Sequence, residues 1–326
     1  MEFIDYRTKG KIERIILKTD GLKSMPQFKI RCGINGGLPF ETLMTDVISG
    51  CLNINNACYG NCTACNFWLK KGYNFGKRIN NVFDEKLFIK DIENLPNDVK
   101  WLRQGWASDC SFSDMSWKLI ASISELLAKY SISLLIITKI HKTPSINILK
   151  ILAKNNTEIR VSLSAFDTKE EFIKRFKFLH LYKSLGGKAI PYVMTALFKN
   201  KTLSNNQKII VRNIVEGDFI AGEHPLRINI DNPLYNLLKN NGFIHHKFTD
   251  QYWFGRILNK IPNFILPPPT HLPNDYCLEY KSFSDYNKNT NKFNYKNLPT
   301  YDELKKNPNI LTKEMNKHAA YIIQGN

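Results

Sequence analysis

The chain of 326 residues lacks any run of about 18 apolar residues, the length that a membrane-spanning helix needs. Its longest apolar stretches, such as residues 134–137, have the length of a strand. Residues 1–5 include acidic side chains and lack the apolar region of a secretory signal. We therefore expect a cytoplasmic protein with no membrane association.

The cysteines are unevenly distributed along the chain. There are seven cysteines, an odd number, and three of them fall within eight residues. A disulfide framework has an even number at regular spacings, whereas a close group of cysteines in a reducing compartment more often binds metal. The other four, Cys32, Cys51, Cys110 and Cys277, are isolated, so the second ligand pair of a typical zinc site is missing.

The charge is strongly one-sided, with a formal net charge of +17. Such an excess can indicate a nucleic-acid or acidic-peptide partner. The basic residues are scattered, however, and form no block of five or six. We interpret the charge as a generally basic, solvated surface and keep nucleic acid as an alternative partner.

From residue 46 onward, strand-like and helix-like segments alternate. The predicted strands are 46–54, 99–105, 134–138, 159–164, 188–195 and 226–230. The predicted helices are 84–94, 114–130, 145–154, 168–185 and 204–215, with a short helix after Pro233. Six βα units in a row predict an α/β fold with parallel strands and right-handed crossovers. A partial barrel and an open, doubly wound sheet both fit this pattern.

The composition divides the chain into three regions. Residues 1–45 are interpreted as an N-terminal cap, and residues 46–240 as the core domain that carries the alternation. Residues 241–326 are aromatic, polar and rich in proline, and 267–269 is a stiff Pro-Pro-Pro segment. We expect this C-terminal extension to cover the mouth of the barrel.

The cysteine group directly follows the first predicted strand, as Cys58-Tyr-Gly-Asn-Cys62-Thr-Ala-Cys65, a CxxxCxxC motif. A cubane [4Fe–4S] cluster has four irons, which are usually bound by four thiolates. Three close cysteines bind three irons and leave the fourth open to a small molecule. We predict a [4Fe–4S] cluster on Cys58, Cys62 and Cys65.

The motif, its place after a strand and the βα units that follow resemble the radical S-adenosylmethionine (SAM) superfamily, over about residues 46–235. The resemblance implies a partial (β/α)6 barrel of the TIM type and SAM as a second cofactor. It implies that the amino and carboxylate groups of SAM chelate the open iron. The reduced cluster then cleaves SAM to methionine and a 5′-deoxyadenosyl radical, which abstracts hydrogen from a substrate. An electron donor such as flavodoxin or ferredoxin is an implied partner.

The resemblance also implies a set of SAM-binding residues, at the carboxyl ends of the strands. Gln104, Gly105 and Trp106 follow the second predicted strand and resemble the Gly-rich segment whose carbonyls receive the SAM amino group. An ordinary turn at the end of a strand is the alternative. The residue before the third cysteine, often an aromatic that contacts adenine, is Ala64 here. Phe67, or Trp68 beside it, would take this role unless it merely packs the loop.

The fourth predicted strand and its helix supply further candidates. Ser162 and Ser164 resemble the serine that lies near the SAM ribose in the family. Arg175, on the helix that follows, resembles the arginine near the SAM carboxylate, which a planar guanidinium can bind with two hydrogen bonds. The alternative for Arg175 is a solvated charge on the helix surface.

The substrate that we favour is a ribosomally made precursor peptide (a RiPP), modified by an epimerase-like reaction at a Cα hydrogen, with abstraction of a side-chain hydrogen (crosslinking) as the alternative. No RNA-binding module is recognisable, and a cysteine thiol could return hydrogen to the substrate radical. Cys277 is the first candidate for this catalytic donor and Cys110 the second; the alternative for both is a small packed side chain.

A nucleic-acid-modifying enzyme, acting on tRNA, rRNA or a DNA lesion, is the alternative. The net charge and the aromatic residues 252–254 near Arg256 would serve phosphate binding and base stacking. A non-catalytic metal-binding interaction protein is a distant third.

Overall fold

The computed structural model describes residues 2–4, 85–93, 101–104, 109–112, 114–229, 234–244, 246–247, 251–253, 261, 263–264 and 281–288. The predicted first strand and the CxxxCxxC motif lie outside these residues, as does most of both predicted extensions. Within the described ranges, no helix combines the length and the apolar character that crossing a membrane requires.

Helices and strands alternate along the described chain. The strands are β1 (Trp101–Gln104), β2 (Ser133–Thr138), β3 (Glu158–Ser164), β4 (Lys188–Thr195), β5 (Leu197–Phe198), β6 (Gly222–Pro225), β7 (Arg227–Asn229), β8 (Gly242–Phe243), β9 (His246–Lys247) and β10 (Gln251–Trp253). The helices are α1 (Glu85–Glu93), α2 (Asp114–Lys129), α3 (Ile146–Lys154), α4 (Lys169–Ser184), α5 (Lys201–Glu216), α6 (Leu234–Asn241) and α7 (Phe283–Lys288). A short 3-10 helix, Cys110–Phe112, precedes α2.

Five of the strands form one parallel sheet, in the order β1-β2-β3-β4-β6. The predicted α/β class with parallel strands is therefore confirmed. The strand order follows the chain without reversal, so the described strands contain no topological switch point of the kind that a doubly wound sheet has. The small sheets β7-β10-β9 and β5-β8 are antiparallel.

Local signals in the sequence explain where the central helices begin and end. Thr168 caps α4 in a capping box, in which its side chain accepts from the Glu171 backbone and the Glu171 side chain accepts from the Thr168 backbone. Ser145 and Asn200 cap α3 and α5 without a capping box, since each side-chain oxygen accepts one hydrogen bond from a backbone N–H of the first turn. Past the end of α4, Gly186 has a φ of 81°, a left-handed conformation that favours glycine.

The helices pack against one face of the parallel sheet. On β3, the alternate residues Ile159, Val161 and Leu163 are fully buried in the same hydrophobic core as the inner faces of α1 to α5. Because side chains alternate along a strand, the intervening residues belong to the opposite face. All five helices therefore cover one side, which is the arrangement of a singly wound sheet.

The opposite face of the sheet is polar and also buried. Glu158 and Arg160 on β3 are fully buried and form an ion pair, with 2.5 Å between Oε1 and the guanidinium nitrogens. The Arg160 guanidinium also lies over the Tyr192 ring, 5.6 Å from its centroid. Lys188, aligned with Glu158 on the neighbouring strand, is only 4% exposed. This face is thus shielded from solvent although it carries charge.

The prediction of the last parallel strand was wrong. The strand that pairs with β4 is β6, whereas β7, which contains most of the predicted strand 226–230, joins the small antiparallel sheet. The β6 sequence, Gly-Glu-His-Pro, lacks the apolar alternation that marks a strand. Its pairing depends on contacts with β4: a Cβ at Gly222 would stand 2.4 Å from the Tyr192 ring, and Thr195 donates a 2.6 Å hydrogen bond to Glu223.

Candidate functional site

The carboxyl ends of the five parallel strands meet at one edge of the sheet, where ligands bind in α/β folds. This edge is rich in buried polar side chains. Those that are at least nine-tenths buried are Gln104, Asp109, Ser111, Thr138, Lys139, Ser164, Asp167, Arg175, Thr195, Gln207 and Glu223. Burial of so many polar groups costs free energy unless they are hydrogen bonded, so we consider this edge the candidate site.

Asp109, in the segment after β1, is the centre of the best-defined cluster at this edge. Its Oδ1 accepts hydrogen bonds from the Ser111 backbone (2.9 Å), the Ser111 hydroxyl (2.7 Å) and the Thr138 hydroxyl (2.6 Å). Its Oδ2 accepts from the Lys139 backbone (2.8 Å) and lies 3.5 Å from Nε2 of His141. The carboxylate therefore joins the segment after β1 to the end of β2.

The same cluster holds an unusual backbone conformation. Ile140 has a φ of 50°, which is rare for a β-branched residue, and its side chain is fully buried. The Ile140 N–H donates to the Thr138 hydroxyl (3.0 Å), and the His141 N–H donates to the Ser111 hydroxyl (2.8 Å). Strained residues persist where their surroundings over-determine them, often at functional sites. Here the hydrogen bonds fix the positions of Lys139 and His141 on either side of Ile140.

Burial by itself would raise the pKa of the Asp109 carboxyl. The neighbouring His141 charge and the hydrogen bonds from Ser111, Thr138 and the Lys139 backbone outweigh this effect and hold its pKa below the ordinary value. The cluster therefore favours an ionised Asp109.

This shift predicts an acid-dependent contribution to stability. Because the pKa of Asp109 is lower in the folded state, its carboxylate stabilises the fold above about pH 3.8, the ordinary value, and this contribution is lost as pH falls through the folded pKa. Urea unfolding between pH 7 and pH 3 should show the loss in the wild type and a flatter dependence in Asp109→Asn. The exposed control, Asp285→Asn, should follow the wild type; an Asp109→Asn profile parallel to both would contradict the assignment.

A buried ion pair joins the next two strand ends. Arg175 on α4 and Asp167 after β3 are each 1% exposed, and the guanidinium pairs with Oδ2 of Asp167. The Arg175 Nε donates a 2.7 Å hydrogen bond to the Lys139 carbonyl, and Asp167 Oδ2 accepts from the Ser164 backbone at 3.0 Å. The alternative that Arg175 is a solvated helix charge is therefore wrong. Its role as a SAM ligand stays a prediction, but its described contacts connect the ends of β2 and β3.

The two predicted ribose serines lie on β3, on the face away from the helices. Ser162 is half-buried, and Ser164 is almost fully buried, with its hydroxyl accepting a 3.2 Å hydrogen bond from the Phe166 backbone. Ser164 therefore shapes the turn after β3, whereas Ser162 keeps part of its surface accessible.

Gln104 and Cys110, two further predicted residues, are both buried on the helix-covered side of the sheet. Gln104 is fully buried and aligned with Ile136 of the hydrophobic core, so it lies on the helix-covered face. Cys110 is also fully buried in that core, and burial, with the nearby Asp109 charge, raises the pKa of its thiol well above 9.0. This position fits the packing role better than the donor role. The other predicted residues lie outside the described ranges: Cys58, Cys62, Cys65, Phe67, Gly105, Trp106 and Cys277.

Sequence reasoning did not identify Asp109, Thr138, His141 or Asp167 as site residues. A usable signal was present, because Thr138 ends β2, His141 lies three residues beyond it, and Asp167 follows β3. Polar residues just after a buried strand mark the carboxyl edge. Their pairing with Asp109 depends on contacts that periodicity does not encode.

No family model, curated protein or solved structure matches this chain. Among the described residues, no group of three or more His, Cys, Asp or Glu side chains is arranged to hold a metal ion. Functional inference therefore depends on the fold class, the edge cluster and the CxxxCxxC motif of this chain itself.

Proposed function

We propose that this chain is a radical SAM enzyme with a partial six-stranded barrel. The observation that carries the proposal is the sequential order of the parallel strands that follow the CxxxCxxC motif in the chain. The same sequential order would place the predicted strand 46–54 beside β1. The motif would then lie at the carboxyl edge, next to the Asp109 cluster.

Burial of both faces of the sheet also supports a barrel. Helices pack on one face, yet Glu158, Arg160 and Lys188 on the other are buried as well. In a curved sheet that closes on itself, the face away from the helices becomes the interior. A flat sheet with helices on one side would leave these charges in water.

The donor set fits the proposed cluster. Cys58, Cys62 and Cys65 supply thiolates, the ligands that iron–sulfur clusters take in proteins. When bound, the cluster would supply the electron that cleaves SAM to methionine and a 5′-deoxyadenosyl radical. Gly105, Trp106, Ser162 and Phe67 are the proposed SAM contacts of this chain, with Arg175 as a further predicted one.

The buried polar residues would keep the edge rigid around the reaction. Asp109 joins the first two described strand ends, and the pair Asp167–Arg175 joins the second and third. Holding a site within a fraction of an ångström requires support of this kind beneath it.

For the substrate, we propose a peptide, modified by an epimerase-like reaction, with Cys277 as the hydrogen donor. A nucleic-acid substrate is the alternative, supported by the net charge of +17. The two differ in salt dependence, because binding through many phosphates weakens steeply as salt rises, whereas peptide binding weakens much less.

Cleavage of SAM tests the proposal directly. Protein reconstituted anaerobically with iron and sulfide, then given SAM and dithionite, should form 5′-deoxyadenosine and methionine in equal amounts, even without substrate. Chromatography coupled to mass spectrometry measures both products. Reconstituted protein without reductant is the control and should form neither. If iron-loaded, reduced protein leaves SAM intact, the proposed function is wrong.

A further inference from the structure

An apolar groove with a basic rim lies beside the carboxyl edge of the sheet. It has a volume of about 360 Å³ and lies between α5 and the small β5-β8 sheet. Because β5 begins two residues after β4 ends, the groove adjoins the candidate site. Its volume is in the range of about 300–1,000 Å³ that is typical of ligand sites.

One face of α5 forms a wall of the groove. Ser204, Gln207, Lys208 and Val211 line it, and their spacing of three and four residues places them on one side of the helix. They span about 10 Å along the helix axis, at about 1.5 Å per residue. An extended peptide advances about 3.3 Å per residue, so the groove matches about three residues of such a chain.

The apolar part of the groove is exposed to solvent. Phe243 lines it and is 53% exposed, and Leu197 and Phe198, which also line it, are half-buried. A contiguous apolar surface that is open to solvent is a common mark of an interaction site. The ring of Phe243 is therefore well placed to receive an apolar side chain from a partner.

Two lysines lie beside this apolar surface, and a third lies one helical turn before Ser204 on α5. The Lys199 Nζ lies 4.8 Å from the centroid of the Phe243 ring, Lys208 lines the groove, and Lys201 is exposed at the start of α5. Residues 197–212 contain no Asp or Glu. Within the described residues, no ion pair involves these three lysines. The rim is thus complementary to an acidic partner.

We propose that this groove is a docking site for an acidic peptide segment, with an apolar side chain inserted against Phe243 and carboxylates paired with Lys199, Lys201 and Lys208. The docking itself does not depend on radical SAM chemistry. Identifying the docked segment as part of the substrate does depend on the proposed function, because the groove would then hold a peptide beside the reacting edge.

Fluorescence anisotropy with defined peptides tests the docking. The probe is fluorescein-labelled Gly-Asp-Glu-Leu-Phe-Leu-Glu-Asp-Gly, titrated with full-length, iron-reconstituted protein in the absence of reductant. One comparison peptide carries Lys in place of every acidic residue, and another carries Ser in place of the three apolar residues. We expect saturable binding of the probe, at least about tenfold tighter than that of either comparison peptide.

Variants in matched pairs locate the binding. Phe243→Ser should weaken binding about tenfold, whereas Ile146→Ser, at a residue with nearly the same exposure (52%), should not. Lys208→Glu should weaken binding several-fold at low salt, whereas Lys150→Glu on α3 should not. All four residues are at the surface, so circular dichroism should confirm an unchanged fold.

Several outcomes would overturn the docking site. The groove does not bind acidic peptides if the probe binds no better than its Lys or Ser counterpart, or if the groove variants bind as tightly as their controls. Failure of SAM cleavage with intact probe binding would refute the proposed function and leave the docking site standing. Intact SAM cleavage without binding of the probe would refute the docking site and leave the proposed function standing.

Discussion

Replacement of Cys58, Cys62 or Cys65 by alanine is expected to abolish both the iron–sulfur cluster and the cleavage of SAM. The reconstituted wild type should hold about four irons per chain, since a cubane with three protein ligands still has four metal positions. With only two thiolates remaining, the cluster should be lost, and 5′-deoxyadenosine should fall to background. Iron analysis, absorbance near 400 nm and product chromatography measure these changes.

Cys32→Ala is the matched control, because Cys32 is isolated in the sequence and lies outside the motif. It should bind iron and cleave SAM as the wild type does. Stoichiometric zinc without iron absorbance after careful reconstitution would contradict the cluster assignment and would favour a structural metal site.

Asp167→Ala is expected to cause the largest loss of stability among single changes at the edge. It would leave the Arg175 guanidinium buried without the carboxylate that neutralises it, since both residues are 1% exposed. Removing one partner of a buried ion pair typically costs about 3–5 kcal/mol. Urea unfolding monitored by circular dichroism should report a decrease of this size in the free energy of unfolding.

Two comparisons identify the cause of that loss. Lys169, which lies on α4 as Arg175 does, forms an exposed ion pair with Glu2. Glu2→Ala removes this pair and should leave stability unchanged, because solvent screens exposed ion pairs. Asp167→Leu combined with Arg175→Met removes both charges and should recover much of the loss. If Arg175→Ala instead weakened SAM binding with unchanged stability, Arg175 would be a SAM ligand and its structural role would be minor.

Features governed by neighbours in the chain could be predicted from the sequence. The apolar runs of β2 to β4 and the helical spacing of α2 and α4 predicted elements within one or two residues of those observed. Thr168 and Gly186, at either end of α4, act through contacts within a few residues. The CxxxCxxC motif is equally local, and for that reason the proposed metal chemistry could be stated from the sequence.

The tertiary structure decided features that depend on distant residues. The strand β6 is polar and ends in proline, so its place beside β4 follows from Tyr192 and Thr195 rather than from its own pattern. Asp109 and Thr138 are 29 residues apart and become partners only when β1 and β2 align.

The environment of Arg175 also could not be predicted from its neighbours in the sequence. Its neighbours Lys174 and Lys177 predict a solvated helix face, yet Arg175 is buried against the ends of β2 and β3. Burial of a charge is favourable only when a partner is already in position. Here that partner, Asp167, is supplied by the turn after β3, and the Lys139 carbonyl by the end of β2. The chemistry proposed for this protein could therefore be inferred from the sequence. The buried contacts that join the strand ends at the carboxyl edge form only when the sheet folds.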